Sequence, residues 1–289
     1  MVDPSEICTL MPLDEDTQYG NTQANDNSND FLGNLIRRKY MGTGVRLGGL
    51  KAHHKAHKIP GQNLTQTVPG NTRWETGQTI KIRLLGGSQS LRRKVIRFAR
   101  EWEKYANIFF EFSRGGKSDV RISFDQYKDS YSYLGTNAIA IPQDTATMNL
   151  ALNDHTTTER VRAVVLHEFG HLLGCIHEHS SPASSIPWNE EAVYDFYQRT
   201  NGWDRAKTCH NVLRKYDRNT ISQFSEFDPK SIMIYTIDES VLLPGNSRFV
   251  TSWNTRLSAT DKEFIGKLYP FPEGEERPRR SKRTKKKRL

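Results

Sequence analysis

Alternating and helical spacings of apolar residues divide the middle of the chain into strands and helices. Residues 79–85 alternate between polar and apolar side chains, which is typical of a half-buried strand. Residues 91–107 place apolar side chains three and four positions apart, which predicts an amphipathic helix. The same two kinds of pattern predict strands at 108–112, 120–124 and 147–152, and helices at 156–173, 189–199 and 257–269. The domain predicted between residues 71 and 272 therefore mixes strands and helices.

The predicted helix at 156–173 is apolar on nearly every side. Its apolar residues include Val161, Ala163, Val164, Val165, Leu166, Leu172 and Leu173. Such a helix runs through the centre of a protein, where ionisable side chains need a specific role. Thr156 and Glu159 have the spacing of a capping box, which predicts that the helix begins at Thr156.

Five residues on and after this helix form the pattern HExxHxxGxxH. His167 and His171 are four positions apart, so they share one helix face within reach of one Zn²⁺ at about 2.0–2.1 Å. Glu168 is rotated by about 100° from His167, which keeps it off the metal but lets it take a proton from a water molecule. Gly174 can adopt the left-handed conformation that returns His177 as third ligand. Three protein ligands leave a position open for water, which is the catalytic arrangement.

Each member of this pattern also has a plainer interpretation. A lone buried histidine is more often a hydrogen-bonded core residue than a metal ligand, and a glycine after a helix is often only a cap. At this composition, however, the complete pattern would arise by chance in a fraction of chains on the order of 10⁻⁵. The sequence therefore predicts one zinc ion per chain.

A second motif, Ser-Ile-Met-Ile-Tyr at residues 231–235, follows downstream. With the histidine pattern it resembles the metzincin zinc peptidases, in which a methionine lies beneath the zinc, and Met233 matches that residue. Glu178, directly after the third histidine, and Tyr235 both match the astacin family. The resemblance implies that Tyr235 binds zinc at rest and stabilises the oxyanion during attack. It also implies that Glu178 pairs, through water, with a new amino terminus after propeptide removal.

The resemblance to the astacin family covers residues 74–272 and implies an α+β metzincin (zincin-like) fold. That fold has a twisted mixed sheet, two long helices and an irregular C-terminal subdomain. The resemblance also implies that the strand at 147–152 is the sheet edge along which a substrate backbone lies, and edge pairing through the main chain suits many sequences.

The function implied is that of a zinc metalloendopeptidase, which hydrolyses peptide bonds of proteins with a metal-activated water. The alternative is a non-catalytic, zinc-stabilised protein that tethers peptides or nucleic acid on a peptidase scaffold. The presence of Glu168 argues against that alternative.

Residues 1–70 form a separate N-terminal segment, predicted to be disordered or propeptide-like. Residues 14–30 are almost entirely polar, which favours disorder. Residues 31–34, Phe-Leu-Gly-Asn, resemble the astacin propeptide motif with an amide in place of the zinc-binding carboxylate. A thiolate from Cys8 is a second way to block the metal. The histidines at 53–57 lie among lysines, which favours a solvated basic loop over a metal site.

The cysteine count and the N-terminal sequence favour a cytoplasmic or nuclear location over secretion. The three cysteines, Cys8, Cys175 and Cys209, are an odd number, which favours free buried thiols over a disulfide between the last two. The chain has no apolar run of membrane-spanning length, and its first residues do not form a secretory signal.

A basic tail, residues 273–289, ends the chain. Nine of its residues after position 276 are Lys or Arg, and the formal net charge of the whole chain is also +9. One interpretation is a solvated, disordered tail, and the others are nuclear localisation and binding to nucleic acid or an anionic surface. Because no aromatic residues lie between these charges, any nucleic-acid contact would be insensitive to sequence. The patterns indicate no oligomeric state.

Overall fold

The computed structural model describes residues 8–11, 72–216 and 226–272. The strands are β1 (Cys8–Met11), β2 (Thr79–Leu84), β3 (Phe109–Ser113), β4 (Val120–Ser123), β5 (Ser130–Tyr133) and β6 (Met148–Asn149). The α-helices are α1 (Gln89–Ala99), α2 (Thr158–Leu172), α3 (Glu190–Asn201), α4 (Arg205–Thr208) and α5 (Ala259–Leu268). Short 3₁₀ turns lie at Trp102–Lys104, Gly135–Ala140, Glu178–Ser180, Glu239–Val241 and Ser247–Phe249, and a π-helical turn at Cys209–Leu213.

The described strands form one mixed sheet in the order β1-β5-β6-β4-β2-β3. Strand β2 pairs in parallel with β3 and β4, and β4 pairs in parallel with β6. Strand β5 runs antiparallel to β6, with Ser132 opposite Met148. Strand β1 lies on the outer side of β5 and runs parallel to it. The mixed sheet and the α+β class predicted from the sequence are confirmed.

Helices α1 and α2 cover the sheet and complete the main core. Val95 and Phe98 of α1 are buried, as are Val165 and Phe169 of α2. The Phe169 ring meets Phe110 of β3 edge to face, with centroids 5.2 Å apart. An apolar α2 therefore lies in the centre of the protein, as its composition predicts, and can carry ionisable groups only where other groups or a metal satisfy them.

The C-terminal part of the domain has its own smaller apolar cluster. Its members come from α3 and the turn after it, from the π-helical turn and from the loops around residues 232–249. They include Val193, Tyr197, Trp203, Val212, Ile234, Tyr235 and Ile237. Regular structure in the described part of this region is limited to short helices and two isolated bridges, Trp188 with Leu242 and Ile237 with Thr251. This arrangement confirms the irregular C-terminal subdomain.

The predicted sheet edge at 147–152 is wrong. Only Met148–Asn149 forms a strand there, and it lies inside the sheet between β4 and β5. The outer strand of the folded domain is β5, whose sequence Ser-Tyr-Ser-Tyr has no aliphatic residue and gave no strand pattern. Strand β1 pairs with the edge that β5 would otherwise present on this side of the sheet.

Three local expectations also change. Helix α2 is capped by Thr157, whose side chain accepts a hydrogen bond from the Arg160 N–H, while the Thr156 hydroxyl contacts Asn153 instead. Helix α1 ends at Ala99, short of the predicted residue 107, because the chain tightens into 3₁₀ geometry. Cys175 is a free, buried thiol as expected, whereas Cys209 is free but exposed.

Arg121 of β4 is fully buried and holds the loop that precedes β6. Its guanidinium donates hydrogen bonds to five backbone carbonyls, those of Ser118, Asp119, Ala138, Ile141 and Thr145. Burial is the main cause that lowers the Arg121 pKa. The carbonyls nonetheless surround the charge with oxygen atoms, as they would surround a bound cation.

Several predictions fall outside the described residues. They concern the propeptide-like motif at 31–34, the histidines at 53–57, most of the 1–70 segment and the basic tail at 273–289. These stay predictions. In the part of the chain that is described, no helix is long and apolar enough to cross a bilayer.

Candidate active site

Helix α2 is fixed at its C-terminal half by two tryptophans that bind its carbonyls. The Trp102 indole N–H donates to the Leu166 carbonyl at 3.0 Å, and the Trp74 indole N–H donates to the Leu172 carbonyl at 2.7 Å. Both tryptophans are buried. The helix turn that carries His167 and His171 is therefore held in place from two sides.

His167, His171 and His177 bring their ring nitrogens together. One ligand atom from each lies within 4.8 Å of the others, and the Nε2 atoms of His171 and His177 are 3.1 Å apart. The rings of His167 and His171 are nearly perpendicular, at 86°. The three nitrogens thus converge on one point, as ligands of a single metal ion do.

Backbone carbonyls fix the tautomers of two of these rings. Nδ1–H of His167 donates to the Ile232 carbonyl, and Nδ1–H of His171 donates to the Cys175 carbonyl, each at 2.7 Å. Because a carbonyl only accepts, Nδ1 carries the proton and Nε2 presents a lone pair. Such outer hydrogen bonds orient histidine ligands in metal sites.

The electrostatics of the cluster also suit a metal cation. Burial lowers the pKa of His167 to about 4, and burial together with neighbouring histidines lowers the pKa of His171 and His177 well below the usual value. Among the described residues, the buried Nε2 of His167 has no hydrogen-bond partner. Zn²⁺ binds the neutral form of imidazole, so three neutral rings and a buried Nε2 acceptor without a hydrogen-bond partner fit this ion.

Gly174 provides the turn after α2. Its φ is 96°, in the region that favours glycine, and its N–H donates to the His171 carbonyl at 2.9 Å. The next N–H, of Cys175, returns to the Gly170 carbonyl at 2.9 Å. This closure brings His177 back over the helix end, which is the conformation that the sequence predicts for this glycine.

The turn at 231–235 lies beneath the histidines. Met233 is 3% exposed, and its carbonyl accepts a hydrogen bond from the Glu178 N–H at 3.0 Å. A β-carbon on Gly170 would stand 2.3 Å from the Met233 sulfur. The helix and the turn can therefore approach this closely only because residue 170 has no side chain.

The side chains of Tyr235, Glu168 and Glu178 are buried beside the three histidines. The Tyr235 ring lies 4.4 Å from the His177 ring, centroid to centroid. Glu168, next to His167 on α2, is 1% exposed. Glu178 lines a cavity together with Trp102, Cys175, Met233, Asp261 and Phe264. Its Oε1 accepts from the Asp228 N–H at 2.8 Å, yet burial raises its pKa to about 8.

The family model for Astacin, a family of peptidases, matches residues 66–269, which include the whole histidine cluster and the turn beneath it. The chain belongs to the astacin family. A search of the curated protein sequences found no match.

Solved structures agree with this assignment to the astacin family. One described as "Structure of myroilysin" is 40% identical, with a TM-score of 0.68, and the match covers 71% of this chain and 99% of that one. A second myroilysin crystal structure is 39% identical with a TM-score of 0.54, covering 70% and 87% of the two chains. High choriolytic enzyme 1, a hatching-enzyme zinc-protease from the medaka fish Oryzias latipes, matches at 17% identity and a TM-score of 0.50, covering 72% and 98%, and supports the fold alone.

Membership of the astacin family makes this chain a zinc metallopeptidase, with the three histidines positioned for the metal. Sequence reasoning missed Gly170, His179 and Asp261, which all contact the site. Only weak signals pointed to them: a glycine inside a helix, a histidine two positions after a ligand, and an Asp three positions after Ser258 in a capping pattern.

Proposed function

We propose that the chain is an endopeptidase in which Glu168 is the general base and Tyr235 binds the oxyanion. The observation that supports this most is the convergence of the three histidine nitrogens, with Glu168 on the same buried helix turn. Peptide hydrolysis needs a base beside an activated water, and a metal with three protein ligands leaves room for that water. The substrate class is protein or peptide.

The proposed mechanism assigns one task to each side chain. His167, His171 and His177 would hold a zinc ion, which when bound would supply the Lewis acidity that polarises the scissile carbonyl and lowers the pKa of water. The Glu168 carboxylate takes the proton from the attacking water and passes it to the leaving amine nitrogen, so the proton count balances. The Tyr235 phenol donates a hydrogen bond to the oxygen that becomes negative in the tetrahedral intermediate.

Cleavage of an unfolded protein by zinc-loaded Glu168→Gln and wild-type protein tests this proposal. The amide keeps the shape but cannot take a proton, so zinc should stay at one per chain while cleavage falls by about 10² or more. Glu159→Gln, an exposed change on the same helix, is the matched control and should cleave normally. Zinc binding without cleavage by any of the three proteins, even after N-terminal trimming, would instead favour the tethering protein.

We further propose that the N-terminal segment at residues 1–70 is an inhibitory propeptide. The support is strand β1, which pairs along the whole length of β5 with Cys8 opposite Ser130 and Met11 opposite Tyr133. A substrate backbone that adds to the sheet needs the same hydrogen-bonding edge. The segment and the substrate then compete for β5.

Opening this pairing should raise the activity. Leu10→Pro places a residue without an N–H inside β1, where proline disfavours strand pairing, so kcat/KM should rise several-fold towards that of protein lacking residues 1–70. Gln18→Pro, beyond the end of β1, is the control and should leave kcat/KM unchanged. Equal activity with and without residues 1–70 would contradict the proposal. Cys8→Ser separates the thiolate alternative, since it should activate the enzyme only if the Cys8 sulfur blocks the metal.

The cavity at Glu178 supports a related proposal, in which a new amino terminus pairs with this carboxyl after trimming. Burial raises the Glu178 pKa to about 8, and a nearby ammonium would restore the ionised form. Trimming near residue 71 should therefore raise the activity of the wild type, and Glu178→Ala should abolish that increase. An increase of the same size in both proteins would show that Glu178 has no part in it.

A further inference from the structure

A backbone carbonyl orients the metal-binding ring of His167 through a hydrogen bond. Nδ1–H of His167 donates to the Ile232 carbonyl at 2.7 Å, so the position of that peptide decides where Nε2 points. Ile232 lies in the loop turn at 231–235, outside any helix or strand. Because a loop carbonyl orients this metal ligand, the precision of the ligand geometry depends on how firmly the loop is held.

One carboxylate, that of Asp261 on α5, fixes this turn from its far side. Its Oδ2 accepts from the Ile232 N–H at 2.9 Å, and its Oδ1 accepts from the Ser231 hydroxyl at 2.8 Å. The Ser231 oxygen in turn accepts from the Met233 N–H at 3.0 Å. The carboxylate therefore binds the residue that orients His167, and through Ser231 it also fixes the methionine beneath the metal.

Burial gives these contacts their importance. Asp261 is 3% exposed and Ser231 is fully buried, so water cannot replace a lost partner. Burial is also the main cause that raises the Asp261 pKa, and the hydrogen bonds from Ile232, Ser258 and Ser231 oppose that rise. A buried carboxylate with three donors from this region is a rigid anchor rather than a solvated surface group.

Asp261 also has a second, local task. It is the third residue of α5 and forms a capping box with Ser258: Oδ2 accepts from the Ser258 N–H at 2.7 Å, and the Asp261 N–H donates to the Ser258 hydroxyl at 2.9 Å. Loss of Asp261 therefore removes both the helix cap and the support of the turn. Ser258→Ala removes only the capping contact of its hydroxyl, which makes it the matched control.

We propose that Asp261 is a positioning residue of the zinc site, which fixes the backbone on both sides of Ile232, directly at the Ile232 N–H and through Ser231 at the Met233 N–H, and so holds His167 and sets the affinity for zinc. This inference rests on the three histidines as zinc ligands, but its test does not need catalysis. Removal of an outer partner of a metal ligand weakens metal binding by about 10 to 100-fold. Because the link runs through the backbone, Asp261 need not contact the metal or the substrate.

The test measures the zinc dissociation constant by chelator competition, with the visible spectrum of the Co²⁺-substituted protein as a report on ligand geometry. Asp261→Ala should weaken zinc binding at least tenfold and alter the Co²⁺ spectrum. Ser258→Ala should lower the free energy of unfolding by about 1 kcal/mol but leave the zinc affinity and the Co²⁺ spectrum unchanged. Asp261→Asn keeps an acceptor for the Ile232 N–H and should show a smaller loss of affinity.

Two results would overturn the proposal: wild-type zinc affinity in folded Asp261→Ala, or equal losses in Asp261→Ala and Ser258→Ala. If Asp261→Ala does not fold, Asp261→Asn is compared with Ser258→Ala by the same criteria. Activity against a peptide is measured separately with Glu168→Gln, which should bind zinc normally. Failure of catalysis can then be distinguished from failure of this positioning role.

Discussion

The ring of His177 lies against the ring of His179, with centroids 5.1 Å apart and planes inclined by 14°. His179 is held by its Nε2–H, which donates to the Asn211 carbonyl at 2.8 Å. The Tyr235 ring packs on the same imidazole with centroids 4.5 Å apart. A histidine outside the ligand set therefore supports both a metal ligand and the proposed oxyanion residue, and it connects them to the C-terminal subdomain.

Replacement of His179 by Ala should weaken the site without removing any ligand. The change leaves a space beneath His177 and Tyr235 and removes the hydrogen bond to Asn211, so zinc affinity should fall about tenfold and kcat should fall with it. Chelator competition and peptide cleavage measure the two effects. His210→Ala, a half-buried change one residue before Asn211, should have little effect on zinc affinity. Equal losses in the two variants would argue against a specific role of the stacked ring.

Gly170→Ala should be destabilising although alanine is the better helix former. The new β-carbon would lie 2.3 Å from the Met233 sulfur and 3.5 Å from the Trp102 ring, so the turn must move, at a cost of about 1–3 kcal/mol. With Met233→Ala in the background the same change should be neutral or stabilise by up to about 1 kcal/mol, since the clash is gone. Urea unfolding of the four proteins gives the coupling energy. Additive effects would show that the Met233 side chain is not the cause of the loss of stability in Gly170→Ala.

Gly174→Ala and Gly202→Ala should differ in their effect on zinc. Both glycines have positive φ, 96° and 66°, so each alanine should cost about 1–2 kcal/mol of stability. Only Gly174 lies between two metal ligands, and its strain should also displace His177. We expect zinc affinity to fall several-fold in Gly174→Ala alone, as measured on samples matched for folding. The same affinity in both variants would contradict this prediction.

The metal-free protein should lose stability as the pH falls from about 6.5 towards 4. Burial lowers the pKa of His167 and His179 to about 4, and that of His171 and His177 further, so the unfolded chain binds their protons first. Each ring then lowers the free energy of unfolding by up to about 1.4 kcal/mol for each unit that the pH falls. The raised pKa values of Glu178 and Asp261 act in the opposite sense, but four rings outweigh two carboxyls.

Urea unfolding with chelator present, at about pH 8, 6.5 and 5, measures this dependence. His155→Gln, at an exposed position, should keep the wild-type slope of stability against pH. Stability that rises as the pH falls from about 6.5 to 5 would mean that the buried carboxyls dominate instead. Excess zinc should increase stability most at high pH, because the ligands bind the metal only when neutral.

The parts of the site that sequence could predict are those fixed by local spacing. The pattern from His167 to His177 follows from helix geometry and one glycine, and the turn at 231–235 was recognisable by resemblance. The outer hydrogen bonds were not predictable, because His179 and Asn211 are 32 residues apart and Ile232 and Asp261 are 29 apart. No period of helix or strand relates such positions.

The sheet edge was misplaced for a related physical reason. Strand β5 has the sequence Ser-Tyr-Ser-Tyr and is defined by its pairing with β6 and β1, not by an apolar alternation. Propensity for a strand depends strongly on the neighbours that cover it. The segment at 147–152 has the stronger hydrophobic pattern because its large apolar residues, Met148, Leu150 and Leu152, are all buried in the core.

Arg121 supplies a positive charge to the backbone carbonyls around the loop before β6. Because the guanidinium among the five carbonyls is covalently part of the chain, it cannot be extracted by a chelator or diluted away, as a coordinated ion can. The five hydrogen bonds that hold the loop before β6 therefore do not depend on a bound metal ion. Stripping metals from the protein should empty the histidine site while the loop before β6 keeps its shape.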